Sequence, residues 1–190
     1  QLQRWGVCDV LINLHHQPDA IMAALRPSVL GGQVRISFSF EPEILGTGGA
    51  LRKAAWFSDE SPFWMVNADI AFEVTPDPFL EAYARHSPLA VLWLHPERGP
   101  RTVTMDHGRI TDFRSRQAGA EGTLTFCGLQ LLSSDILRFL PVHGFATIVD
   151  AYEKALQQGH TIRGVCVAPS YWCDLGTPAA YLAAHREIAE

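Results

Sequence analysis

The sequence predicts an α/β fold in which a doubly wound, mixed but mainly parallel sheet is flanked by helices. Two observations carry this prediction. Apolar, strand-like runs alternate with helical segments in the first half of the chain, which is the pattern of parallel β-α-β units. The length of 190 residues and the hydrophobic content of 47% suit one hydrophobic core. We therefore expect a single domain over residues 1–190.

The first half of the chain contains three apolar runs separated by helical segments. Residues 1–5 resemble the last turn of a helix that Gly6 ends, and Pro27 ends the next helix. The short run before Asn67 is apolar at every position, which predicts a central parallel strand. The predicted strands cover residues 8–14, 34–40 and 63–67, and the predicted helices cover 18–25, 49–57 and 78–86.

The second half begins, after a strand over residues 89–94, with a predicted β-hairpin turning at His107-Gly108. The hairpin belongs to a β-rich lid that we expect to interrupt the sheet over residues 99–132. Thr147 and Asp150 have the spacing of a capping box, and Pro178 begins the last helix. The other predicted strands are 123–132, 161–168 and a short one from 171, and the predicted helices are 134–140, 147–158 and 178–189.

The composition argues against several classes of partner. The net charge is −5 and the basic residues are scattered, so nucleic acid is a poor candidate. No apolar run approaches the roughly 18 residues that a membrane span requires, so we expect no membrane partner. The four cysteines form no Cys-x-x-Cys pair, and Cys8, Cys127 and Cys166 lie in apolar runs. We expect these three to be buried thiols in a cytoplasmic protein.

A glycine-rich stretch, Leu45-Gly46-Thr47-Gly48-Gly49, lies between a predicted strand and a predicted helix. Glycine lets a flat or phosphorylated ligand approach the backbone, and a helix N-terminus favours negative charge. Asp69 follows the next strand, where a carboxylate can hold a divalent cation that faces the ligand. Together they predict a nucleotide and metal site at the carboxyl edge of the sheet. Taken singly, such a stretch is more often only a turn, and an aspartate such as Asp69 is more often a solvated strand end.

Five stretches of the chain, taken in order, carry a family resemblance. They are Ile12-Asn13-Leu14-His15-His16, residues 41–51, Val66-Asn67-Ala68-Asp69-Ile70, Phe126-Cys127-Gly128 and residues 172–178. Together they resemble motifs of the sugar-1-phosphate nucleotidyltransferase family, and the chain looks most like its bacterial mannose-1-phosphate guanylyltransferase and N-acetylmuramate-1-phosphate uridylyltransferase types. The resemblance implies a Rossmann-like fold, and it implies Mg²⁺-dependent transfer of a nucleotidyl group from UTP or GTP to a sugar 1-phosphate.

The resemblance also implies a role for each matching residue. Asp69 and Asp174 would bind Mg²⁺ between the α-phosphate and the sugar phosphate, and Asn67 would contact ribose or sugar. Gly128 would leave room for the sugar, although a strand glycine beside a bulge is an alternative reading. The base would be received by Glu41, Leu45, Gly46, Thr47 and Gly48. Glu41 is otherwise an exposed loop carboxylate.

The chain departs from the family pattern in two places. The family begins with a strand and a glycine-rich loop that wraps the triphosphate, and the resemblance therefore implies such a segment ahead of Gln1. The family's Phe-x-Glu-Lys-Pro, whose lysine holds the sugar phosphate, falls on residues 113–117. Arg116 would supply this catalytic charge as a bidentate clamp, or it is a solvated loop arginine.

Two other functions stay open beside the nucleotidyltransferase. One is a glycosyltransferase of related fold that uses Asn67-Ala68-Asp69 as a divergent metal motif, although the Trp-x-Asp-x-Gly-Thr-Pro stretch from Trp172 argues against it. The other is a non-catalytic relative, truncated or of a sensor type, that binds nucleotide sugars or pairs with an active subunit. The choice of base and sugar and the existence of a homo-oligomer stay open as well.

Overall fold

The computed structural model describes residues 1–25, 34–58 and 62–189 and confirms the predicted mixed α/β class. Pro27, predicted to end the first helix, lies outside the described residues. The chain divides into two compact units. The first comprises Gln1–Asp59 and Leu137–Ala151, and the second comprises Glu60–Ile136 and Tyr152–Glu190.

The first unit begins with a β-α-β-α order. A 3₁₀ turn over Leu2–Trp5 ends at Gly6, whose φ of 79° confirms the predicted helix end. The strands β1 (Asp9–Leu14) and β2 (Arg35–Phe40) form a parallel ladder. Helix α1 (Pro18–Ala24) follows β1, and helix α2 (Gly46–Lys53) follows β2.

The second unit contains a six-stranded mixed sheet and a separate two-stranded ladder. Its strands are β3 (Phe63–Val66), β4 (Ile70–Glu73), β5 (Ala90–His95), β6 (Thr104–Asp106), β7 (Arg109–Asp112), β8 (Thr125–Leu132), β9 (Ile162–Val165) and β10 (Tyr171–Asp174). The sheet order is β3-β8-β5-β9-β7-β6, in which β5 and β9 are parallel and the other neighbours are antiparallel. The strands β4 and β10 form the antiparallel two-stranded ladder.

Three further α-helices are described. Helix α3 (Asp77–His86) packs against β5, β8 and β9, and α4 (Ile148–Gln157) and α5 (Pro178–Ala189) follow later in the chain. A 3₁₀ helix covers Ser134–Phe139. None of the helices in the described part of the chain is long and apolar enough to cross a membrane.

The placement of β3 corrects the prediction of a central parallel strand. It lies at one end of the sheet order and runs antiparallel to β8. An apolar run reports burial and carries no information about strand direction, so the four residues were compatible with either orientation. β8, assigned to the lid from sequence, lies between β3 and β5 and is buried at all positions except Phe126.

Local signals in the sequence predicted the element ends well. Thr147 Oγ1 accepts from the Asp150 amide at 3.1 Å, and Asp150 Oδ2 accepts from the Thr147 amide at 3.4 Å, which confirms the capping box. Thr177 Oγ1 likewise accepts from an amide in the first turn of α5. His107 and Gly108 have φ of 46° and 78°, as a type I′ hairpin turn requires.

The cysteines agree only in part with the prediction. All four are free thiols, and Cys127 in β8 is buried, which raises the pKa of its thiol. Cys8 and Cys166 are exposed, contrary to expectation. Each lies one residue outside a strand, Cys8 before β1 and Cys166 after β9. The burial of the neighbouring strand residues therefore does not extend to these thiols.

A buried polar pair lies in the core of the second unit. The Tyr152 hydroxyl donates to Gln130 Oε1, and both side chains are fully buried. The Tyr152 ring stacks on Phe113 at a centroid distance of 5.3 Å. The other end of the Gln130 amide, Nε2, has no hydrogen-bond partner among the described residues. The core therefore tolerates this amide through a single hydrogen bond.

Replacing Tyr152 by Phe should lower the free energy of unfolding by about 1–3 kcal/mol, because Gln130 would be left without a partner in the core. Urea unfolding followed by tryptophan fluorescence measures the change. The double variant Tyr152→Phe/Gln130→Leu should recover most of the loss, because it removes both polar groups. A double variant no more stable than Tyr152→Phe would contradict this account.

Candidate functional site

The two aspartates predicted to bind a metal ion lie beside each other at one end of the β4–β10 ladder. Asp174 is the last residue of β10 and pairs with Ile70, the residue after Asp69. The Leu175 amide donates to the Asp69 carbonyl at 2.7 Å and extends the ladder by one hydrogen bond. Strand pairing thus brings together two residues that are far apart in the sequence.

The carboxylates at this end of the ladder are exposed to solvent. Asp174 Oδ1 accepts from the Gly176 amide at 2.8 Å, which orients the side chain. No group of three or more His, Cys, Asp or Glu side chains suited to a metal ion exists within the described ranges. A cation here would therefore have at most two protein carboxylates, and Mg²⁺ is often bound by one or two carboxylates together with substrate oxygens.

The glycine stretch forms the first turn of α2, which corrects the expectation of a loop followed by a helix from Gly49. The helix begins at Gly46. The Gly48 and Gly49 amides donate to the Ala146 carbonyl at 2.8 and 3.2 Å, and the Ala146 amide donates to the Leu45 carbonyl at 2.9 Å. These amides at the helix N-terminus are therefore satisfied by the protein itself.

Close backbone packing explains the glycines at these positions. A Cβ atom on Gly46 would lie 2.5 Å from the Ala146 carbonyl oxygen, and Gly46 also has a φ of 71°. Cβ atoms on Gly48 and Gly49 would each lie 2.9 Å from a carbonyl oxygen of residues 144–147. The side chain of Thr47 is also occupied, since its Oγ1 accepts from the Ile148 amide at 2.9 Å.

Glu41 is buried, contrary to the reading of an exposed loop carboxylate, with 3% of its surface accessible. Its Oε2 accepts from the Leu45 amide at 3.3 Å, and its carbonyl accepts from His15 Nδ1 at 2.8 Å. Oε1 is buried and has no hydrogen-bond partner among the described residues. An unpaired buried carboxylate oxygen is costly, so a donor from water or from a bound ligand would stabilise it.

A cavity of about 440 Å³ lies beside α2 in the first unit. Its lining includes the basic residues Arg52 and Lys53 and also His143, none of which we predicted from sequence. The sequence signal that could have indicated them was the pair of adjacent basic residues, Arg52 and Lys53, one turn after the glycine stretch. Of the predicted substrate-binding residues, only Leu45 lines the cavity, whose other lining residues are Gly49, Pro141, Val142 and Gly144.

Asn67 and Gly128 contact each other in the second unit. The Asn67 amide donates to the Gly128 carbonyl at 2.8 Å, and a Cβ atom on Gly128 would lie 2.9 Å from the Asn67 side-chain amide. Gly128 has a φ of 80°, and the β5–β8 register shifts between Leu92 and Leu94. Gly128 thus lies at a bulge, and its missing side chain makes room for Asn67.

Arg116 lies in an exposed turn after β7, and no ion pair of its side chain is seen within the described ranges. Its neighbour Arg114 contacts the Glu153 carboxylate at 2.5 Å. The pair could not be predicted from the sequence, because the two residues are distant in the chain. The pair attaches the start of the turn to the second unit and leaves Arg116 exposed to solvent.

We expect Gly46→Ala to destabilise the protein by about 2 kcal/mol more than Gly159→Ala. Both glycines have positive φ, but only at Gly46 would a Cβ atom overlap another residue, because nothing lies within 4 Å of a Cβ on Gly159. Thermal and urea unfolding of the two variants measure the difference. Equal losses would contradict the packing explanation of the glycine stretch.

Comparisons with known proteins identify the family of the chain. The family model described as nucleotidyl transferase matches residues 2–190. The mannose-1-phosphate guanyltransferase of Aspergillus fumigatus is 25% identical over 187 residues, which cover 93% of this chain and 50% of that protein. The mannose-1-phosphate guanylyltransferase 1 of Arabidopsis thaliana is 25% identical over 194 residues, covering 97% and 53%. The chain thus spans about half the length of these curated relatives.

Solved structures show the same fold at low sequence identity. HddC from Yersinia pseudotuberculosis has a TM-score of 0.76 at 20% identity, covering 98% of this chain and 81% of that one. The inositol-1-phosphate CTP transferase from T. maritima has a TM-score of 0.77 at 14% identity, covering 94% and 74%. The family match over nearly the whole length is therefore decisive: the chain belongs to the nucleotidyl transferase family.

Proposed function

We propose that the protein transfers a nucleotidyl group from GTP or UTP to a sugar 1-phosphate and releases pyrophosphate. The position of Asp69 and Asp174 on neighbouring strands at one end of the β4–β10 ladder, in a chain of this family, carries the proposal. The curated relatives are named for a guanylyl group and mannose 1-phosphate. GTP with a hexose 1-phosphate is therefore the first substrate pair to assay.

The proposed reaction is an in-line displacement at the α-phosphorus of the nucleotide. A sugar phosphate oxygen attacks, its new bond to phosphorus forms as the bond to the β-phosphate oxygen breaks, and pyrophosphate leaves with the electron pair. A phosphate monoester dianion is already a nucleophile, so no general base is required. Rate acceleration then depends on positioning two anions and offsetting their charge.

Asp69 and Asp174 would hold a divalent cation, and we propose Mg²⁺ because carboxylate oxygens are its preferred protein ligands. The bound cation would offset negative charge on the α-phosphate and on the sugar phosphate. Two observations support this assignment. The ladder pairs Asp174 with Ile70, the residue after Asp69, and the Gly176 amide orients the Asp174 carboxylate.

The proposed base pocket consists of Glu41 and the start of α2. The Glu41 oxygen without a partner is suited to accept an N–H from the base. On the sugar side, we propose Asn67 and Gly128 as neighbours of the sugar and Arg116 as the cation that holds its phosphate. The solvent-exposed position of Arg116 supports this role. The residues proposed for the start of α2 are Leu45, Gly46, Thr47 and Gly48.

We also propose that the reaction takes place in the cytoplasm, where nucleoside triphosphates are available. The four free thiols support a reducing compartment.

Asp69→Asn and Asp174→Asn should each lower the rate of pyrophosphate release by at least about 10²–10³, because each removes a charged ligand of the cation. The full-length gene product is assayed with GTP or UTP, hexose 1-phosphates and Mg²⁺. EDTA should abolish release and added Mg²⁺ should restore it. The matched control Asp106→Asn alters an exposed aspartate at the end of β6 in the same unit and should leave the rate unchanged.

The same assay distinguishes the alternative functions. A glycosyltransferase would transfer sugar from a nucleotide sugar without pyrophosphate chemistry. A non-catalytic relative would bind GTP, UTP or a nucleotide sugar in calorimetry without turnover. Absence of pyrophosphate release with every substrate pair, or wild-type rates in both aspartate variants, would overturn the proposed function.

Glu41→Gln should raise the KM for the nucleotide about tenfold, which corresponds to about 1.4 kcal/mol of lost binding. The amide replaces one acceptor oxygen by a donor, so it cannot both hold the Leu45 amide and accept from the base. Glu43→Gln is the control, since Glu43 is exposed two residues away. A variant with unchanged KM for both nucleotides would remove Glu41 from the base pocket.

A further inference from the structure

Trp172, two residues before Asp174 in β10, is held by three contacts from other parts of the second unit. Its indole Nε1–H donates to the Cys127 carbonyl of β8 at 2.9 Å. Its own carbonyl accepts from the Arg98 guanidinium at 3.1 Å. Its ring lies 6.3 Å, centroid to centroid, from the ring of His95, and the residue is 6% exposed.

The turn after β5, which supplies Arg98, is itself held by the His95 imidazole. His95 Nδ1 accepts from the amides of Glu97 and Arg98 at 3.1 and 3.0 Å. A nitrogen that accepts two N–H groups carries no proton, so the ring is neutral with its proton on Nε2. Partial burial, and then the charge of Arg98, lower the pKa of His95 and favour this neutral form.

The next residues of the turn complete the enclosure of Trp172. Arg98 lies 3.9 Å from the Glu187 carboxylate of α5, which limits the positions open to its guanidinium. Gly99 has a φ of 79°, and a Cβ atom there would lie 3.2 Å from the Trp172 ring. The backbone of the turn therefore approaches the indole closely, and we name residues 95–99 the Trp172 clamp.

The β4–β10 ladder requires such an anchor because it is short. β10 has four residues, and within the described ranges it pairs only with β4. Four pairs leave strand register weakly specified, and a slip by one residue would reverse the faces of all the side chains of β10. Trp172 pairs with Phe72, so fixing Trp172 fixes the position of Asp174 beside Asp69.

We propose that the Trp172 clamp positions Asp174 for cation binding, with His95 and Arg98 as positioning residues that act through Trp172. This inference rests on the proposed function, because it takes Asp174 as a metal ligand. His95 contributes by accepting two amide protons, and Arg98 contributes by holding the Trp172 carbonyl. Loss of either contact should loosen the end of the ladder without removing a carboxylate.

The test compares His95→Leu, which removes the acceptor, with His95→Asn, whose side-chain oxygen can replace Nδ1. Mn²⁺ alone is the probe, and its binding to the full chain is measured by electron paramagnetic resonance. Amide hydrogen exchange of Leu175 reports the end of the ladder directly. His95→Leu should weaken Mn²⁺ binding about tenfold and accelerate exchange at Leu175, whereas His95→Asn should restore both to near wild-type values.

Arg98→Gln gives the same test at a side chain that is 52% exposed, where loss of folding is not expected. His107→Asn, in the exposed hairpin turn, is the matched control and should leave both readouts unchanged. Melting temperatures confirm that each compared variant is folded. Equal loss of Mn²⁺ binding in His95→Leu and His95→Asn would overturn the acceptor role of His95.

Two further outcomes separate this inference from the proposed function. If Asp174→Asn loses Mn²⁺ binding while His95→Leu and Arg98→Gln bind normally, the positioning role of the Trp172 clamp is refuted and Asp174 is still supported as a metal ligand. If Asp174→Asn binds Mn²⁺ like the wild type, the metal site and the clamp are both wrong.

Discussion

The hydrogen bond from the Leu175 amide to the Asp69 carbonyl is the contact on which the candidate site depends, because it continues the β4–β10 ladder to the two aspartates. Two carboxylates that share a cation site repel each other when no cation is bound, although water reduces the cost to about 1 kcal/mol at 4 Å. The ladder brings the two residues together through backbone hydrogen bonds, which do not depend on the charge of the side chains.

The N-terminus of α2 does not offer the anion-binding amides that a helix N-terminus often provides. Such an end attracts anions because its first amides are unsatisfied. Here the Gly48 and Gly49 amides are occupied by the Ala146 carbonyl, so they are not available to a phosphate group. What stays available in the same region is the unpartnered oxygen of Glu41, which suits a hydrogen-bond donor. The Glu41 oxygen therefore favours a ligand that presents an N–H group over a ligand that carries negative charge.

Most of the elements could be predicted from the sequence because their signals are local. The capping box at Thr147, the hairpin turn at His107 and the start of α5 each depend on residues a few positions apart. The end position of β3 and the burial of Glu41 could not be predicted, because both depend on partners distant in the chain. Asp69 carries a local signal, its place after an apolar strand, whereas Asp174 was supplied as its partner by resemblance to the family.

The backbone contacts of α2 have an evolutionary consequence. Any side chain at Gly46 would overlap the Ala146 carbonyl, so position 46 can change only if residues 144–147 move at the same time. The two segments are therefore constrained together, and substitutions in them should be correlated among homologues. A glycine-rich match at these positions then reports how the helix packs on its neighbour. It can be shared by enzymes that select different bases.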